Sequence, residues 1–428
     1  MYQPLGRQVE RRNFRLGVLN GLFVLIADTF LDPTLVLVTF VSQLTSNSIL
    51  IGLVAPLRDA AWFMPQLGMS GWLQSRPRRL DVYTWTVWGR VAILGALVIV
   101  VATVRDPNWL LIAFFGLFTI YAVISGLSGL PFLQVVAKTV PPNRRATFFA
   151  WRLFSGGLFS LGAAVAVRWF LGNDALAFPQ QFAFLFGGGF LFYSIGWVMF
   201  IGIREPAEPE VRARVRTRDQ LRRAWAVVRQ DLGYRHFLVM RLSLTMAGAA
   251  VPFFAVHAQR ELGGTPEMVG LYLGVFTLFG LTSNAFLGRL APKVGNQRIM
   301  LAAGISGLLM AALVAGLLIV AAGPGGVGPG LADAWLVPVF ALNAIHQACV
   351  GVAGMPLLFD VAGDRDQTLY LGFTNTVQGV GLLATGLSGV VVETLGFTAL
   401  LAATLLGYAS AILASLRLAR TLPPTAPH

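Results

Sequence analysis

The chain has 428 residues, 56% of them hydrophobic and only 12% charged, where a soluble domain carries about 25% charged residues. That composition excludes a water-facing globular surface and makes the membrane span, about 20 apolar residues, the natural unit of the chain. The net charge of +13 lies in short segments between apolar runs, a topology signal rather than a nucleic-acid footprint. The 32 basic residues are 30 Arg and 2 Lys, and the single cysteine, Cys349, excludes an internal disulfide and a Cys-based metal site.

Twelve apolar runs follow in order, at about 16–41, 48–72, 82–104, 109–137, 146–172, 182–203, 236–258, 267–290, 298–321, 334–358, 368–391 and 395–416. Each is long enough to cross about 30 Å of hydrocarbon as a helix. Lipid offers no partner to an open backbone, and the runs lack the alternation of a membrane barrel, so helices are expected. The expected fold is an all-α integral membrane protein of twelve transmembrane helices in two pseudo-symmetric six-helix bundles, 1–203 and 236–428, joined by a charged linker, 204–235. The basic N-terminus leads into a first run too long for a signal sequence, so that run is read as a retained span. With the N-terminus inside, 25 basic residues fall on the inner side and three (Arg105, Arg168, Arg260) on the outer side. That bias places both termini in the cytoplasm of a cytoplasmic-membrane protein.

Charge inside a span is costly, so each such residue needs a reason. Span 1 carries Asp28 and Asp32, four residues apart on one helix face, followed by Pro33. Span 2 carries Arg58 and Asp59, about 100° apart around the helix. Counting 1.5 Å per residue from the inner ends puts Arg58 between the depths of the two aspartates on a neighbouring antiparallel helix. The triad reads either as a proton-coupling site tuned by arginine or as a fixed bridge between two helices. Arg90, Arg152 and Arg241 sit about 8–12 Å from their inner helix ends. They read as side chains snorkelling to the interface, or as an electropositive cavity for an anionic solute.

The linker opens Arg204-Glu205-Pro206, and Leu221, Trp225, Val228 and Leu232 have the spacing of an amphipathic helix on the inner membrane face. A plain connector and a regulatory helix are both compatible with it. The Gly-rich run 323–332 reads as a flexible connection. In the second half, span 10 places Asn343, His346 and Gln347 at mid-depth, and span 11 adds Asn375 and Gln378. The amides suit a polar solute. His346 reads as a proton carrier or as hydrogen-bonded packing.

The halves share punctuation. Pro33, Gly52, Gly71-x-Leu73, Gly126-x-x-Gly129-x-Pro131 and Arg144-x-x-Thr147 correspond to Pro252, Gly270, Gly288-x-Leu290, Gly351-x-x-Gly354-x-Pro356 and Arg365-x-x-Thr368, at offsets of 217 to 225. Five matches in order at nearly one offset point to a duplication, and duplicated halves suit rocking about a shared site. The loop after span 8 runs from Gly288 to Arg298 and carries Leu290, Ala291, Lys293 and Gly295. It resembles the signature loop of the major facilitator superfamily, with Pro292 where the family has an acid. The first copy, Gly71 to Arg79 with Arg76, has Ser75 at the acid position and is one residue shorter.

The resemblance implies that fold and alternating-access transport, with the loop residues gating the inner side. The acidic residues of span 1 resemble the placement in the drug–proton antiporter branch, although span 5 lacks that branch's proline. Phosphate-loop, zinc-helix and nucleophile-elbow patterns are missing, so no enzyme, cofactor or metal is expected. The reading is a proton-driven secondary transporter of a small solute, acting as a monomer in the bilayer. The alternatives are lipid or amphiphile movement and a non-transporting receptor or scaffold on the same fold.

Overall fold

The computed structural model describes residues 6–74, 76–141, 144–207, 225, 227–324, 326–328, 330–363, 365 and 367–421; the side chains of 63–72, 74, 146, 367–369 and 372 lie outside that description. Among the described residues the regular elements are helices. They are α1 (Arg7–Phe30), α2 (Val36–Leu44), α3 (Ser48–Gln74), α4 (Arg79–Thr103), α5 (Pro107–Thr139), α6 (Arg145–Leu171), α7 (Gln180–Ile201), α8 (Leu232–Ala247), α9 (Val251–Glu261), α10 (Met268–Val294), α11 (Asn296–Ala321), α12 (Leu331–Ala362), α13 (Gln367–Thr385), α14 (Ser388–Leu395) and α15 (Phe397–Ala419). Among the described residues eleven helical segments are long and apolar enough to cross a membrane, and α3, which holds Arg58 and Asp59, is 27 residues long. Of the predicted amphipathic linker helix, Leu221 lies outside the described residues, Trp225 and 227–230 are helical, and Leu232 opens α8.

Three of the expected spans are broken rods. Span 1 stops at Phe30 and restarts at Val36, because Pro33 removes a backbone donor. Asp32 repairs the break: its Oδ1 accepts from the backbone N–H of Thr34 at 3.0 Å and of Leu35 at 2.7 Å. Span 7 tightens into a 3-10 turn at Gly248–Ala250 before Pro252 opens α9. Span 11 breaks at Gly386 and Leu387. Elsewhere side chains close the helix ends that lipid cannot solvate. Asp106 accepts from Trp109 N at 2.9 Å at the start of α5, and Asp231 accepts from Tyr234 N at 3.0 Å at the start of α8. Gly295 turns the chain between α10 and α11 at φ +88°, a conformation that a side chain at this loop position would oppose.

The chain falls into two compact units, Met1–Leu44 with Leu57–Val215, and Thr45–Pro56 with Arg216–His428. In the first unit α1 packs on α6 and α7, and α4 packs on α5 and α7. In the second, α8 packs on α13 and α15, and α11 packs on α12 and α15. Written as spans, these are the same four neighbour pairs in each unit, as a duplication requires. The first unit's core is aromatic: Phe40 meets Phe114, Phe182 and Phe186 with ring centroids 5.2, 5.2 and 5.3 Å apart. The second unit buries Asp333, which accepts from Tyr272 Oη at 3.1 Å and from Thr265 N at 3.2 Å, while Tyr272 stacks on Phe340.

Small residues bring helices into contact where no driving force from water exists. A Cβ at Gly307 would overlap three ring carbons of Tyr408, which is fully buried. Gly307→Val is therefore expected to destabilise the fold by about 1–3 kcal/mol, read as a lower apparent Tm in detergent. Gly162 has open space where its Cβ would stand, so Gly162→Ala should leave Tm unchanged or slightly raised. Equal losses in the two variants would contradict this packing.

Candidate functional site

Six helices of the first unit surround a cavity of about 590 Å³. That is within the range of small-molecule sites, roughly 300–1,000 Å³. The periodicity of each helix delivers its lining. On α1, Asn20, Val24 and Asp28 are successive four-residue steps along one face. On α7, Tyr193 and Trp197 are one such step. Arg58, Asp59 and Trp62 come from α3, Tyr83 and Arg90 from α4, and Arg152 from α6. From α5 come Tyr121, Ser125, Ser128, Gly129, Phe132 and Leu133.

Asp28 is the hub of the polar groups. Its Oδ1 accepts from Arg58 Nη2, in an ion pair, and from the Tyr193 hydroxyl. Arg58 Nη2 also reaches the Tyr193 oxygen at 3.3 Å, so three side chains from three helices close on one another. Asp28 and Arg58 each keep about 30% of their side-chain surface open, at 32% and 27%, and so remain reachable from the cavity. The expected triad is corrected here. Asp32 does line the cavity, but its carboxylate is committed to the backbone of the helix break, and the arginine pairs with Asp28. Asp59 also lines the cavity and is exposed.

The expected snorkelling of Arg90 is overturned. Arg90 is 4% exposed, and its guanidinium lies over Trp197 at 4.1 Å and Tyr83 at 5.3 Å from the ring centroids. Arg152 is likewise turned inward. It donates from Nη1 to Gly17 O at 2.5 Å and Asn20 Oδ1 at 2.7 Å, and lies over Phe132 at 4.8 Å. Asn20 is itself held by donating to Gly196 O at 2.8 Å. The cation–π partners Tyr83 and Trp197, and the Tyr193 donor, were not found by sequence reasoning. The four-residue step from Tyr193 to Trp197 was the available signal.

The second-half residues gather less. Asn343 is buried with its Oδ1 unpartnered among the described residues, while Gln347, four residues on, is exposed. His346 is buried: its Nδ1 lies 2.8 Å from Ala303 O and its ring meets Tyr408 edge-on. Gln378 Oε1 accepts from Thr245 Oγ1 at 3.4 Å, and Asn375 is half-buried.

Among the gating residues, Gly71 has no described side-chain surroundings, Gly288 has open space around it, and Arg76, Lys293 and Arg298 are exposed. Arg79 alone of these is built in. It is buried and donates from Nε to Gln134 Oε1 at 2.9 Å. The missing acid of the first loop has a substitute from the start of the linker. Glu205 accepts from the backbone N–H of Arg79 at 3.1 Å and of Leu80 at 2.6 Å, and from Lys138 Nζ at 2.8 Å.

Residues 237–428 match the family model of the Major Facilitator Superfamily. No curated protein matches the sequence. Among solved structures, a POT family transporter in complex with 5-aminolevulinic acid shares the fold at a TM-score of 0.68, with 11% identity over 96% of both chains. A D-xylose–proton symporter matches at 0.66 with 14% identity over 98% of both chains. A nucleoside transporter matches at 0.67 with 14% identity over 97% of this chain and all of its own. The family match covers the second half of the chain, and the likeness in fold to these transporters covers nearly all of it.

Proposed function

We propose that this chain is a proton-coupled secondary transporter. It carries a small solute across the cytoplasmic membrane by alternating access, as a monomer with both termini inside. The observation that carries this reading is the Asp28–Arg58–Tyr193 cluster on the wall of a solute-sized cavity. As a carboxylate, Asp28 holds the guanidinium of α3 and the hydroxyl of α7 against α1. A proton on Asp28 removes the charge that holds them, so protonation and the mutual position of three helices become linked. A solute that prefers one of those positions is then driven by the proton gradient.

The test starts from purified protein screened for apparent Tm against a broad solute panel at two pH values, because a bound solute raises stability. Solutes that bind are then labelled and offered to proteoliposomes under an imposed pH gradient. Accumulation or expulsion that collapses with a protonophore supports the reading. Movement that ignores the gradient removes the coupling. Binding without any movement points to a receptor or scaffold instead.

A further inference from the structure

The transport reading leaves unused the two arginines of the cavity that have no acidic partner among the described residues. Arg90 donates weakly from Nε to Thr86 O at 3.3 Å, and its buried Nη2 has no hydrogen-bond partner among the described residues. A buried donor left open in a well-packed site is costly, so it demands a ligand. The guanidinium packs over Trp197 and Tyr83 and lines the cavity, so the open Nη2 donor belongs to its wall. A guanidinium matches a carboxylate or a phosphate, which accept in its plane.

A second open donor lies on the same cavity: the buried Oγ of Ser125 also lacks a partner. Arg152 adds a second positive charge, clamped in place by Gly17 and Asn20. The three carboxylates and three guanidiniums of the lining balance in sum but not in place: Asp28 pairs with Arg58 and Asp32 with the backbone of its helix break, while Arg90 and Arg152 have no carboxylate partner among the described residues. Around these charges the wall is aromatic, with Trp62, Tyr121 and Phe132 beside Trp197.

We infer that the solute is an organic anion with a flat or apolar body, its carboxylate or phosphate head held by Arg90 and its body lying against the aromatic wall. The inference rests on the reading of this cavity as the transport site, and it concerns binding at equilibrium, so it is tested without any gradient.

The probes are benzoate and phenyl phosphate, with neutral benzamide and cationic benzylamine as matched controls. Binding is followed on the full-length purified protein by quenching of tryptophan fluorescence, to which Trp62 and Trp197 report, and by apparent Tm. The anions should bind and the controls should not. Arg90→Gln should weaken anion binding by about tenfold or more, the worth of a charge-assisted bidentate contact. Arg90→Lys, which keeps the charge but loses the fork, should fall between Arg90→Gln and wild type. The unliganded Tm of each variant reports on its folding. Gly162→Ala, which lies outside the cavity lining, should bind the anions like wild type. Benzamide or benzylamine binding as tightly as benzoate overturns the inference. So does a folded Arg90→Gln protein that binds anions like wild type, or wild type that binds neither anion. A benzoate-binding protein that shows no gradient-driven transport would instead leave the anion site standing and remove the coupling.

Discussion

Asp28→Asn is expected to reduce pH-gradient-driven solute movement to the level of protein-free vesicles while leaving the folded protein intact. Asn keeps the size of the side chain and an oxygen that can accept from Arg58 and Tyr193, so the packing of α1 survives. What it removes is the titratable site, and with it the change of charge that links the three helices. Exchange of solute down its own gradient should persist, because binding through Arg90 and the aromatic wall is untouched. Tyr193→Phe deletes one of the two donors to Asp28 and should lower coupled movement without abolishing it. Wild-type accumulation in Asp28→Asn would falsify the coupling role and leave the cluster as a structural bridge.

The second large effect concerns stability. Glu205 is 9% exposed and serves three donors at once: the first two N–H groups of α4 and the buried ammonium of Lys138. Removing one partner of a buried pair leaves the other charge uncompensated, at a cost of about 3–5 kcal/mol. Glu205→Ala should therefore show a pronounced fall in apparent Tm in detergent micelles. Glu205→Gln keeps an acceptor for the helix end and should lose less. Adding Lys138→Met to Glu205→Gln should recover part of the loss, since it removes the buried cation that lost its carboxylate. If the double variant is no more stable than Glu205→Gln alone, the Lys138 pair contributes nothing to that loss.

The architecture was legible because the bilayer imposes it. Apolar length gave the helices, and matched Gly and Pro positions pointed to a duplication, with which the neighbour pattern recurring in both units agrees. Breaks were legible only where proline marked them. Pro33 and Pro252 announce theirs, while the break at Gly386–Leu387 has no comparable mark in a Gly-rich span. The site was half legible. Asp28 and Arg58 lie on helices adjacent in sequence, so counting rise per residue brought them to one depth. Tyr193 comes from the sixth span and Trp197 with it, and no count along the chain says which helices of a bundle are neighbours. Arg90 was misjudged because depth fixes how far a side chain must reach, not in which direction it is drawn. A ring stack inside the unit outcompeted the interface. Glu205 was passed over as one charge among many in the linker, although it caps α4 and pairs with Lys138.

The division of labour between the two acids of span 1 has an evolutionary consequence. Asp32 acts as an oxygen acceptor for two backbone groups, a task that Asn, Ser or Thr also performs. Position 32 should therefore drift among those four residues across relatives that keep Pro33. Position 28 has no such freedom if it exchanges a proton, and should vary only between Asp and Glu, changing in step with position 58. A set of related sequences, read at three columns, would thus distinguish a helix cap from a working acid without any protein being made.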